Sequence, residues 1–308
     1  MELVKNIAEK ISVETPDFSN CINAVEHDLK LTGIETTVRF HYLKFDGNKQ
    51  PMVKALADTL YAYIIDYCLS AKNRDETLTA RQSAILTKEA RRLFRHPEIS
   101  DDSPDKTGEA GETLLYFLME AVLKAPQIVS KMELKTNHKD EIKGSDGIHA
   151  RWNEELKIVD FYFGESKLYK KVSDALTSAL KSVNDFHDVK MYEHEFNMVT
   201  KHFKYADEAV KQEISELFIN GNPGANVRVN HACLIGYDYK GYDDVLSEPH
   251  SNLISRFENE LLSNAESLVS LLHKKLDNFE KKHLVFDVFF LPFPSVVDFR
   301  NAFNEALD

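Results

Sequence analysis

Apolar and polar positions alternate with period 2 from Ile34 to Tyr42, which predicts a strand ending at Phe45-Asp46-Gly47-Asn48. Two helical patterns follow. Residues 50–71 are broadly apolar through Leu56, Leu60, Tyr61 and Ile64, as expected of a buried helix, and residues 79–95 end in the basic Arg91, Arg92 and Arg95. From Thr107 the chain changes character. Leu115, Leu118, Met119 and Val122 share one face of a helix over 111–124. Strands are predicted at 131–136, 147–152 and 157–165. Leu168, Val172, Leu176, Ala179, Leu180 and Val183 then repeat at helical spacing. Residues 193–219 read as one long polar helix or a helix pair, broken by Asn220-Gly221-Asn222-Pro223-Gly224. A strand at 227–237, a long helix at 250–281, a strand at 284–291 and a closing helix from about Ser295 complete the order.

The polar, acidic stretch Ser100-Asp101-Asp102-Ser103-Pro104-Asp105 is the best linker in the chain. It divides residues 1–104, read as an N-terminal α/β extension with a docking or regulatory role, from residues 105–308. In the second part the order helix, three strands, helix, strand predicts an α/β (α+β) architecture, a mixed sheet flanked by helices.

Composition adds limits. With 308 residues, 43% hydrophobic and 29% charged, the chain can bury a substantial core. No apolar run approaches membrane-spanning length and no signal region opens the chain, so a cytoplasmic protein is expected. Cys21, Cys68 and Cys233 are far apart and lack metal-ligand spacing, which reads as reduced core thiols. A net charge of −12 argues against gripping nucleic acid with the whole surface. It leaves a local basic groove or a partner that brings the substrate. It is equally what a soluble acidic surface looks like.

The chemistry concentrates between Gly144 and Lys167. Asp146 precedes one strand, and Glu165-Ser166-Lys167 ends the next. Two carboxylates can hold a hard divalent cation, Mg²⁺ by default with Mn²⁺ as substitute. A lysine two residues after a carboxylate projects from the same strand face. Glu-x-Lys recurs at Glu133/Lys135, Glu141/Lys143, Glu155/Lys157 and Glu280/Lys282, but only Glu165/Lys167 has an apolar strand before it and a regular helix after it. Asp146 taken alone reads as a turn residue and Lys167 as a snorkelling surface lysine; together with Glu165 they read as a metal-dependent phosphodiesterase site. Lys170 and Lys171 are candidates for backbone phosphate contact, or else lie on a solvated face. His149, His194 and His202 read as structural or surface residues, and no Gly-Lys-Ser/Thr phosphate loop follows Gly221-Asn222-Pro223-Gly224.

Gly144-Ser145-Asp146-Gly147-Ile148-His149 and Phe163-Gly164-Glu165-Ser166-Lys167-Leu168-Tyr169 resemble the PD-(D/E)XK nuclease superfamily, although Ser145 stands where the motif's proline is usual. With Gly111-Glu112-Thr113-Leu114-Leu115-Tyr116 and Phe290-Leu291-Pro292-Phe293-Pro294, they resemble more narrowly the nuclease subunit of the bacterial Hachiman antiphage defence system. The resemblance covers residues 105–308 well and the N-terminal third only by order of elements. It implies a restriction-endonuclease-like core, Mg²⁺-dependent DNA cleavage and a superfamily-2 helicase partner. It also implies the carbonyl of Ser166 as an extra metal ligand and a glutamate on the first core helix. Glu112 is the better candidate for that glutamate, with Glu109 one turn earlier on the same face; both also suit the helix dipole. The alternative is a non-catalytic subunit that keeps the fold and binds nucleic acid or a helicase.

Overall fold

The computed structural model describes residues 2–73, 77–94, 108–135, 144–188, 191–205, 207–219 and 222–308. The N-terminal part forms α1 (Thr15–Cys21), β1 (Ile22–Lys30), β2 (Thr36–Leu43), α2 (Val53–Ala62), α3 (Ile64–Cys68) and α4 (Ala80–Arg91). The motif-bearing part opens with α5 (Glu109–Ala121), β3 (Gln127–Val129), β4 (Ile148–Asn153), β5 (Ile158–Tyr169) and α6 (Val172–Asp188). It continues through α7 (Met191–Lys201), α8 (Glu208–Ser215) and a minimal hairpin of β6 (Phe218–Ile219) and β7 (Asn222–Pro223). Then come β8 (Val227–Asp238), α9 (Gly241–Asp244), α10 (His250–Asp277), β9 (Val285–Phe293) and α11 (Val296–Leu307).

Among the described residues the main sheet has seven strands in the order β1-β2-β9-β8-β5-β4-β3. The four central strands, β2, β9, β8 and β5, are mutually parallel, and antiparallel strands close both edges. Central strands of this kind are covered on both faces and carry apolar runs rather than strict alternation. β8 does so: it is buried from Asn230 through Tyr237. On one face α5, α2 and α11 pack over Ala232, Leu234, Phe289 and Leu291. On the other, α6 and the later turns of α10 cover Cys233, Ile235, Val288 and Phe290, while α7 and α8 cover Phe161 and Phe163.

The linker placed near 104 falls in residues 95–107, outside the described residues. One sheet and common cores run across it. Val38 of β2 pairs with Val288 of β9, and Val38 and Phe40 share a hydrophobic cluster with Phe286, Val288 and Phe290. β1 and β2 of the extension thus belong to the same sheet as the motif-bearing strands.

Two expectations are corrected. The segment expected as a strand at 131–136 begins as a tight 3₁₀ turn, Lys131–Leu134, and the strand lies just before it at Gln127–Val129. β5 continues to Tyr169, so the helix begins at Val172 and Leu168 belongs to the strand. Leu168 packs on the α5 face, where it meets Gly111 and Gly236. Among the described residues no helix is long and apolar enough to cross a membrane.

Candidate active site

Glu165 and Lys167 lie within β5, on the face toward α6. Their cross-strand partners Cys233 and Ile235 belong to the cluster beneath α6. Lys167 Nζ forms an ion pair with Glu165 Oε1. Period-2 geometry is what allows this contact. The intervening Ser166 faces the other way, toward α5. A Cβ built on Gly111 would sit 3.1 Å from Ser166 Oγ and 3.3 Å from Leu168 Cγ. Glycine there lets α5 approach the strand and brings Glu112 to the site.

Asp146 arrives on the turn that precedes β4. Its own N–H donates to Gly164 O at 2.8 Å, and Gly164 N–H donates to Gly147 O at 2.9 Å, so the turn is stitched to β5. Asp146 Oδ2 accepts from Ser166 N–H at 2.6 Å and from Ser166 Oγ at 2.7 Å. Ser166 thus orients the aspartate with its amide and hydroxyl, a role distinct from the carbonyl ligand expected of it. A side chain at Gly164 would press on Leu115 Cδ2 at 2.9 Å, which keeps this crossing tight.

The electrostatics centre on Asp146. Burial and the Asp146 charge push Glu165 up to about 7, against the opposing pull of Lys167. Burial, then Asp146 and Glu109, push Glu112 up to about 8, opposed by Lys135 and Lys131. Burial would lower Lys167, but Glu165 and Asp146 outweigh it and hold the ammonium above its ordinary value. Carboxylates that raise one another's proton affinity are destabilised as anions, and a cation among them relieves that repulsion. Among the described residues no three His, Cys, Asp or Glu side chains converge tightly enough to enclose an ion by themselves. A donor set of two carboxylates suits a hard divalent ion that keeps most of its water.

The two candidate glutamates of α5 separate here. Glu109 is buried and ion-paired with Lys135 at 2.9 Å. Among the described residues Glu112 receives a long 3.4 Å contact from Tyr67 Oη and feels Asp146. Lys170 and Lys171 are exposed on the turn between β5 and α6, beyond the ion pair. His149 is buried with Nδ1 2.8 Å from Ala125 O, and burial pushes it down to about 3, so it serves the core. His194 and His202 are exposed, and all three cysteines are buried free thiols. Of the other Glu-x-Lys pairs, Glu133 accepts from Ser70 N–H and Lys157 pairs with Glu154, while Glu141/Lys143 lies outside the described residues.

A pH effect follows from the raised carboxylates. The unfolded chain releases these protons near 4.5, whereas the folded site holds them to about 7 at Glu165. The stabilisation from Glu165 is therefore present below the lower value and lost as pH rises through the upper one. Relative to a Glu165→Gln variant, metal-free wild type is expected to lose thermal stability between about pH 5 and about pH 8, and Mg²⁺ is expected to restore it. Parallel melting curves for the two proteins across that range would show that Glu165 is not perturbed.

The helix–strand–strand–strand–helix–strand order, with Asp146 on the turn before β4 and Glu165 and Lys167 on the neighbouring β5, is that of an α/β protein consistent with a nuclease-like fold. The chain belongs to the HamA family, that of the Hachiman antiphage defence system: the family profile matches residues 16–307, N-terminal strands included. A search of curated proteins finds no match.

Proposed function

We propose that the chain is a metal-dependent DNA nuclease that acts with a superfamily-2 helicase in antiphage defence. The observation that carries this reading is the meeting of Asp146, Glu165 and the Glu165–Lys167 ion pair at one place on the sheet. Asp146 and Glu165 would hold Mg²⁺, or Mn²⁺ in its place, with the Ser166 carbonyl as a further oxygen. When bound, the ion supplies a more acidic water and charge neutralisation at phosphate.

The chain's own groups do the rest. Ser166 fixes the rotamer of Asp146 through two short hydrogen bonds. Lys167, held protonated by its acidic neighbours, donates to the oxygen on which charge develops at phosphorus. Glu112, with its high proton affinity, can hold or release a proton beside Asp146 at neutral pH. Lys170 and Lys171 stand at the rim, where they would contact the backbone phosphates flanking the scissile bond.

Partner dependence follows from charge. At −12 the chain repels DNA at long range, and two rim lysines do not offset that. A helicase would supply the grip, docking on the region of residues 1–104, which carries none of the site carboxylates. The test is incubation of supercoiled plasmid in Mg²⁺ with the chain alone, with the helicase, and with both plus a chelator. Cleavage by the pair, weak cleavage by the chain alone and none in chelator are expected. Full cleavage in chelator would contradict the metal requirement, and strong activity of the chain alone would contradict the division of labour.

A further inference from the structure

We propose that Glu195 on α7, with Lys131 after β3, is a positioning pair that sets Asp146 for metal binding; the inference rests on the nuclease reading. Glu195 is fully buried, and its Oε1 accepts from Ser145 N–H at 2.9 Å and from Lys131 Nζ at 2.8 Å. Lys131 Nζ also donates to Ser145 O at 2.6 Å. One carboxylate and one ammonium therefore grip both the amide and the carbonyl of the residue immediately before Asp146. A longer contact of 3.4 Å from Ser145 Oγ adds to the same oxygen.

The backbone is shaped to admit this grip. Gly144 has φ +112°, and a Cβ there would lie 1.9 Å from Glu195 Oε1. Only glycine allows the carboxylate to reach Ser145. Glu195 is itself rigidly placed. Its neighbour Phe196 packs edge-on against Phe161 and Phe163 of β5, at ring separations of 5.8 and 5.5 Å. α7 is thus referenced to the strand that carries Glu165 and Lys167, and the clamp transmits that reference to Asp146. A charged pair buried at this point is a costly way to hold a turn. It is explained by the need to keep a carboxylate at fixed distance from others of like charge. Ser166 sets which way Asp146 points, while Glu195 and Lys131 set where its backbone lies.

The test uses the full chain with its helicase for cleavage and the full chain alone for Mn²⁺ binding by electron paramagnetic resonance. Glu195→Ala is expected to weaken Mn²⁺ binding and raise the Mg²⁺ concentration for half-maximal cleavage, each about tenfold or more, as other supports of metal ligands do. Glu195→Gln keeps an acceptor at the same place and is expected to recover most of that loss. If Glu195→Ala does not fold, Gly144→Ala shifts the same turn without removing anything from α7 and carries the same expectation. Folded Glu195→Ala or Gly144→Ala protein with wild-type Mn²⁺ affinity and Mg²⁺ dependence would overturn the proposal. Wild type that neither binds Mn²⁺ nor cleaves DNA would overturn the nuclease reading and the positioning role with it.

Discussion

Lys167→Met is expected to reduce Mg²⁺-dependent DNA cleavage by about 10³-fold, with little change in fold or in Mn²⁺ binding. Methionine keeps the unbranched stem that lies over β5 and removes only the ammonium. Among the described residues Lys167 forms an ion pair with Glu165. On the proposed mechanism its charge faces the oxygen that becomes more negative, where a donor held in place by the fold is worth most. The loss corresponds to about 4 kcal/mol of transition-state stabilisation. Removing the ammonium also removes what opposes the high proton affinity of Glu165. The residual activity of Lys167→Met should therefore shift to higher pH. A pH–rate profile on the variant with the proposed helicase partner checks both parts. A Lys167→Met enzyme within about threefold of wild type would remove Lys167 from the chemistry.

The largest effect on stability is expected away from the site, at Asp160. It is fully buried on β5 and sits between two arginines. Arg228 Nε donates at 2.7 Å and Nη2 at 3.0 Å, Arg151 approaches at 3.4 and 3.5 Å, and Asn153 Nδ2 donates at 2.9 Å. Burial alone would raise this carboxyl, but Arg228, Asn153 and Arg151 outweigh it and the net shift is downward. Its contribution is therefore present above the ordinary 3.8 and lost as pH falls through the folded value. Asp160→Ala leaves two guanidiniums facing each other with no anion between them, at a cost of about 3 kcal/mol. Asp160 and Glu165 are five residues apart on one strand, about 16 Å, and point to opposite faces. Cleavage per folded molecule should be unchanged. Chemical denaturation of wild type and Asp160→Ala measures the first expectation, and a loss below about 1 kcal/mol would show that the network is solvated in solution.

The core of the motif-bearing part was legible because its signals are local. β4, β5, α6, β8, α10 and β9 each carry a clear period, and Glu165 and Lys167 share a face for the period-2 reason alone. Leu168 shows where such reading stops. It fits the helical series with Val172 and Leu176, yet it lies in β5, because Gly111 and Gly236 leave room for it under α5. At 131–136 the apolar and charged residues alternate as in a strand, yet Lys131 turns inward to reach Glu195, and the paired strand is the run before it.

The N-terminal third could not be placed by local pattern. β2 pairs with β9, and Arg39 meets Asp287 at a separation of 248 residues. Nothing in either segment announces the other. The same holds for the support of the site. Ser145 and Glu195 are 50 residues apart, and Glu195 lies in a helix that reads as polar. The candidate carboxylates and lysine come from the motif, whereas the contacts of Glu195 and Ser166 around Asp146 emerge only from the folded chain.

Asp146, Glu165 and Lys167 are proposed to form a working nuclease site. The most direct measurement is Mg²⁺-dependent cleavage of plasmid and linear DNA by wild type and a Glu165→Ala/Lys167→Ala double variant, each with the proposed helicase partner. Cleavage by wild type and none by the folded double variant is the expected result. Equal cleavage by both, or none by either, would contradict the account and leave a binding subunit that retains the fold.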